Sequence, residues 1–137
     1  MANDPNAALP YLEIAGYLAG QGVVGPDTDW PIYTGFMPAE PHQLVATFPA
    51  GGLMPEQKNS LRHPQVQIRV RGVPHDQTPP YEKIEEIMAT LRGVINMTIG
   101  AGYYAHLIPT TDVLALGRDG SGRFEYTVTY RAARSAA

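Results

Sequence analysis

The sequence predicts an α+β fold: one domain in which a mostly antiparallel (mixed) β-sheet carries two α-helices on one face. Three observations lead there. Residues 65–71 and 123–131 alternate apolar and polar side chains with the two-residue period of a strand. Residues 6–20 and 78–93 repeat apolar side chains at helical spacing, with proline near each start and glycine at each end. The order helix, strands, helix, strands suits helices gathered on one side of a sheet.

The first helix is expected over about 6–20. Leu9, Leu12, Ala15 or Gly16, and Leu18 form its stripe, with Asn3 or Asn6 as cap. Pro10 must sit in the first turn, because deeper in it would break the hydrogen-bond ladder. Gly20-Gln21-Gly22 supplies the stop. A loop at Gly25–Asp29 leads to Trp30–Phe36, aromatic and β-branched and so a strand, which Pro31 confines to an edge or to the strand's first residues. The rigid turn Pro38-Ala39-Glu40-Pro41 precedes a second strand, His42–Phe48, closed by Pro49-Ala50-Gly51-Gly52. Residues 51–64 read as a long mobile loop.

In the strand Gln65–Arg71, Val66, Ile68 and Val70 face one side; Gln65, Gln67, Arg69 and Arg71 face the other. The second helix begins near Thr78 and ends at Gly93. Ile84, Ile87 or Met88, and Leu91 are its buried stripe, and Glu82, Glu85 and Glu86 its wet face. Val94–Ile99 fits either a short strand or irregular chain. Tyr103–Pro109 and Val113–Leu116 read as strands broken at Thr110-Thr111-Asp112. Gly117–Gly122 is a turn whose glycines admit positive φ. In the last strand, Arg123–Arg131, Phe124, Tyr126, Val128 and Tyr130 share one face. The core sheet and second helix thus occupy about 30–131 of a domain spanning 1–137, with 132–137 expected as a flexible tail.

Composition narrows the function. At 137 residues the chain is one ordinary domain, able to bury roughly two-thirds of its unfolded surface. No apolar run approaches the ~18 residues of a membrane span. Met1–Pro5 lacks the basic and apolar regions of a signal peptide. There is no cysteine, hence no disulfide, Cys-based zinc site or thiol nucleophile, and the expected setting is a reducing cytosol. The net charge of −3 argues against a dedicated nucleic-acid or membrane-surface binder. Charge is uneven: residues 1–60 hold one lysine against six acidic residues, whereas 61–137 hold nine basic against seven acidic.

No catalytic constellation emerges. His42, His63, His75 and His106 form no metal-ligand pair. Asp119-Gly120-Ser121-Gly122-Arg123 opens like a calcium loop, but its fifth position is Arg123 and its twelfth Tyr130, where the ion needs a bidentate Glu. Those glycines lack the Gly-Lys-Ser/Thr ending of a phosphate loop, and Ser60 and Ser121 lack a nucleophile elbow. Glu82, Glu85 and Glu86 read as a solvated helix face, and Asn96-Met97-Thr98 as a sequon in spelling alone. A small hydrolase or isomerase would have to use His63 or His75 with Asp76. Arg69 and Arg71, on one strand face, admit three readings: a subunit or partner contact, simple solvation, or phosphate contact. Nucleic-acid binding through Arg69, Arg71 and Arg123 would weaken steeply with salt.

Taken in order, Tyr33-Thr34-Gly35-x-x-Pro38, Pro41, Gln65-Val66-Gln67-Ile68-Arg69-Val70-Arg71-Gly72 and Leu116-Gly117-Arg118-Asp119-x-x-Gly122-Arg123-Phe124-Glu125-Tyr126 resemble a minor capsid or tail-terminator family of tailed bacteriophages. The resemblance runs from about Tyr33 to Tyr130. It implies a structural virion protein forming a ring, typically a hexamer, at the head-proximal end of the tail tube. That ring stops tube growth and offers the head-joining surface. The implied partners are further copies of itself, the tail tube protein and a head-completion or connector protein; DNA only passes through the lumen, and no membrane is involved. The implied location is the virion, with assembly in the host cytoplasm. No catalytic site, cofactor or metal is implied. Arg69, Arg71, Arg118, Asp119 and Arg123 fall on the family's segments and are the interface candidates, and the 51–64 loop is a candidate reach to the next tail component. The alternative in the same class is a head-closure or connector adaptor.

Overall fold

Val66, Ile68 and Val70, the apolar side of the clearest alternation, lie at the centre of the fold, each almost wholly buried. The computed structural model describes residues 9–53 and 61–136. Its elements run α1 (Pro10–Gly20), β1 (Ile32–Thr34), β2 (Leu44–Leu53), β3 (His63–Pro74), α2 (Thr78–Leu91), β4 (Ile95–Ile99), β5 (Gly102–Pro109), β6 (Leu114–Arg118) and β7 (Arg123–Ala136). The strands form one sheet in the order β1-β2-β3-β7-β5-β4, with β6 also paired to β7. Only β1 and β2 pair in parallel; every other pairing is antiparallel, so the α+β class and the mixed sheet are as the sequence predicts.

Both helices pack on one face. Ile14 and Leu18 of α1 join Ile84, Ile87 and Leu91 of α2 over Val66, Ile68, Val70, Val128 and Tyr130 in a single core. Burying a side chain of this size contributes about 1.5–3 kcal/mol, which outweighs the weak intrinsic helix tendency of so short a segment as α1. Thr47 Oγ1 donates to the Tyr11 carbonyl at 2.9 Å and fixes that helix against β2. Pro10 occupies the first turn, and Gly22, at φ +75°, takes the left-handed turn after the helix.

Several boundaries differ from the sequence reading. The helix begins at Pro10, after an uncapped Leu9, and Asn3 and Asn6 lie outside the described residues. Trp30 precedes β1; its N–H donates to Thr28 Oγ1 at 3.0 Å and its ring lies beneath the Lys83 ammonium. β2 continues past the Pro49–Gly52 turn signal because its ladder with β3 shifts register between Pro49 and Gly52. The expected 51–64 loop therefore shrinks from both ends, and residues 54–60 lie outside the described residues. Val94–Ile99 resolves as strand β4 from Ile95.

The largest correction concerns residues 132–137. Far from a flexible tail, residues 132–136 extend β7, pairing Ala132 with Leu107, Ala133 with His106 and Arg134 with Tyr104. Ala132 and Ala133 are small enough to lie buried between flanking strands, and Arg134 has a buried acidic partner.

Candidate functional site

The helices leave the second face of the sheet uncovered. Strand alternation puts Gln65, Gln67 and Arg69 of β3 on that face, beside Thr129, Thr127 and Arg131 of β7. Four of the five sequence candidates fall on or next to this face, while Arg118 pairs with Phe124 of the helix-bearing face, and the structure divides the five into two groups.

Arg71, Asp119 and Arg123 form an internal clamp. The Arg71 side chain is buried, with Nε donating to the His42 carbonyl at 2.9 Å. Its Nη2 donates to the carbonyls of Pro38 and Pro41, both at 2.7 Å, and of Ala39 at 3.4 Å. Arg123, also buried, donates from Nη1 to the Ala39 carbonyl at 2.6 Å and from Nε to Asp119 Oδ2 at 2.8 Å. Two guanidiniums thus hold the proline-rich 38–42 turn against one end of the sheet. Their planar, multiply donating groups suit a turn that presents several carbonyls and little side chain. Burial, then the neighbouring Arg123 charge, lowers Arg71 from the ordinary arginine value. Asp119 Oδ1 accepts from the Ser121 and Arg123 N–H groups, closing the β6–β7 turn. Partial burial works against ionisation of Asp119, but the Arg123 and Ser121 hydrogen bonds prevail and lower its pKa. Arg71 is thus satisfied within its own chain, an arrangement outside the three sequence readings of partner contact, solvation or phosphate contact: the turn after β1 folds over that stretch of sheet.

Arg69 and Arg118 remain accessible. The Arg69 side chain keeps 36% of its exposure, its guanidinium over the Phe48 ring and Nη1 4.0 Å from Glu125. Its Nε is buried with no hydrogen-bond partner among the described residues. Arg118 lies over the Phe124 ring on β6, whose five residues are all exposed. Leu114 and Leu116 add large apolar surface to that strand.

A second polar cluster escaped the sequence reading. Arg134 makes two 2.8 Å hydrogen bonds to Glu13, from Nε to Oε1 and from Nη2 to Oε2. The Tyr104 hydroxyl donates to Oε1 at 2.6 Å and the Ala101 N–H to Oε2 at 3.1 Å. Every oxygen of the carboxylate is engaged, and Gly102 leaves the room: a Cβ there would overlap the Arg134 guanidinium. Burial, aided by the Glu13 carboxylate, pushes Tyr104 far above the usual tyrosine range, while the hydrogen bonds Arg134 donates to Glu13 hold the guanidinium in its charged form. The only sequence signal was Glu13, an acid among the apolar residues of the first helix.

Of the residues of the enzyme alternative, Asp76 is the neighbour of His75 in sequence and its Oδ1 accepts from the Thr78 N–H at 3.3 Å, while His63 lies far along β3. His63 and His75 stand at opposite ends of the twelve-residue stretch that forms β3, with His75 just past its end and its ring against Gly122. No group of three or more His, Asp or Glu side chains able to hold a metal occurs among the described residues. A groove of about 140 Å³ between α2 and β5 is lined by Met88, Ile95, Leu107, Pro109 and Tyr130, with Arg92 at its edge. A wider one of about 320 Å³ lies by Tyr81 and Tyr126, whose rings meet edge to face at 5.5 Å. Neither brings an acid, a base and a nucleophile together. No described helix is long and apolar enough to cross a membrane.

The sequence profile of a family described as bacteriophage tail terminator protein matches residues 17–135. No curated protein matches the chain. Among solved structures, a chain in the virion of a native gene transfer agent particle superposes with a TM-score of 0.72 at 11% identity, over 93% of this chain and 95% of that one. At that identity the likeness is one of fold.

Proposed function

The chain belongs to the bacteriophage tail terminator family, a family of structural phage proteins, and from that premise we propose that it closes the head-proximal end of a phage tail tube as a ring, probing no substrate and joining the tail to the head. The family match over residues 17–135 carries the proposal. The fold supports it in one respect. Helices on one face and an uncovered sheet on the other give the subunit two unlike broad surfaces, and a ring closes through unlike surfaces meeting head to tail. The fold shared with a chain of a gene transfer agent virion is consistent with a place in such a particle.

In this reading the partners are further copies of the chain, six to a ring, the tail tube protein and a head-completion protein, with DNA passing through the lumen. The protein resides in the virion after assembly in the host cytoplasm. Arg69 and Arg118 are surface contact residues, whereas Arg71, Asp119 and Arg123 shape the surface by holding the 38–42 turn. Native mass spectrometry over a wide concentration range, with negative-stain images of the same samples and of mixtures with tail tubes, tests the proposal. Closed rings, free or capping tube ends, are expected. Binding to portal or connector complexes with no affinity for tube ends would instead identify a connector adaptor.

A further inference from the structure

Two polar atoms on the uncovered sheet face lack partners among the described residues of the subunit. Arg69 Nε and His106 Nδ1 are buried without hydrogen-bond partners among the described residues, and strand alternation puts both on this face. Arg131 shares it, paired in register with Gln65 and Ile108. Arg69 has a loose ion pair with Glu125 at 4.0 Å. Apolar side chains flank the cations on the neighbouring strands: the half-buried Phe48 on β2, and the exposed Ile108 on β5 and Leu114 on β6.

The outward side of the helix layer has the opposite character. On α2, Glu82 and Glu85 are exposed. The one cation of that helix, Lys83, turns inward to the Val23 carbonyl and Glu86, so it neutralises Glu86; among the described residues Glu82 and Glu85 have no ion pair, and Glu85 accepts a hydrogen bond from the Tyr81 hydroxyl. At the start of α1 the exposed Leu9, just before the helix, and Leu12 are apolar, and the helix's single charge, Glu13, is committed to Arg134. One face of the subunit therefore offers cations and apolar side chains, and the opposite face offers carboxylates and apolar side chains. Complementary charge of this kind fixes register and suppresses wrong pairings.

We infer that the uncovered sheet face of one copy receives the helix layer of the next, with Arg69 and Arg131 meeting Glu82 and Glu85 of the neighbouring copy. The contact is heterologous: each copy uses its sheet face once and its helix face once. This inference rests on the ring reading above and identifies the surfaces through which the ring would close.

The absence of cysteine makes a direct test simple, since introduced thiols are the only ones present. A chain carrying both Arg69→Cys and Glu85→Cys is treated with a short bis-maleimide, at high concentration and on tail tubes. A covalent ladder up to the size of the ring is expected, while either single variant yields no ladder. Arg69→Glu with Arg131→Glu should weaken self-association about tenfold or more, and adding Glu82→Arg with Glu85→Arg in the same chain should restore it. All four side chains are partly or fully exposed, and unchanged thermal melts check that each variant folds. Closed rings without cross-links or rescue overturn this contact and leave the ring reading standing. A ladder without closed rings keeps the contact and overturns the ring; no association, either free or on tubes, overturns both.

Discussion

Glu13 and Arg134 stand 121 positions apart in the sequence and meet in a two-pronged ion pair with side-chain exposures of only 6% and 5%. It ties the first helix to the last strand. Removing one partner leaves a buried charge unmatched, so Glu13→Ala or Arg134→Met should cost about 3–5 kcal/mol in urea unfolding, and Glu13→Leu with Arg134→Met together should cost clearly less than the two singles summed. Additive losses would show that the two side chains do not act as a unit.

Truncation after Arg131 tests the same region differently. It removes Arg134 and the pairing of Ala132 and Ala133 with β5. The truncated chain is expected to lose cooperative thermal unfolding by circular dichroism, whereas a dispensable tail would leave the melting curve in place.

Arg71 and Arg69, two positions apart on one strand face, should respond in opposite ways. Arg71→Met strips the 38–42 turn of a charged donor serving four carbonyls and should cost about 2–4 kcal/mol. Arg69→Met should stay within about 1 kcal/mol, because its one ion pair is long and partly wet. Chemical denaturation of both variants decides it; equal losses would contradict the division between clamp and surface.

Alkali should loosen the fold. Burial raises the pKa of Tyr104 and Tyr130 above the ordinary 10, Tyr130 to about 12. The folded protein thus favours the protonated phenols, and their contribution is complete below pH 10 and is lost as pH rises through the folded values. The melting temperature should hold from pH 7 to about 9.5 and fall above 10, with a shallower fall in Tyr130→Phe. A flat profile to pH 11.5 would exclude this linkage.

The elements legible in the sequence were those whose own side chains reveal their burial. Val66, Ile68 and Val70 declare a strand, and Ile84, Ile87 and Leu91 declare a helix face, because local period and final burial agree. Polar residues with distant partners were not legible in the same way. Arg71 reads as the wet side of its strand until the 38–42 turn covers it, and nothing near Arg134 announces Glu13. Alanine misled as well: an Ala-rich run looks unstructured when the size that fits it between crowded strands is invisible locally. The candidate interface was half legible for the same reason, Arg69 and Arg118 keeping their exposure while Arg71 and Arg123 lost theirs.

The strand order β1-β2-β3-β7-β5-β4 has a consequence for how the protein is made. The ribosome makes β7 after every strand it pairs with, yet β7 belongs in the middle. Until it emerges, the nascent chain holds two unjoined ribbons, β1-β2-β3 and β4-β5, each with an open backbone edge awaiting the same strand. Such edges are templates for pairing with another chain. Slow synthesis of that segment prolongs the exposure, and prompt insertion of β7 separates a folded subunit from an aggregate.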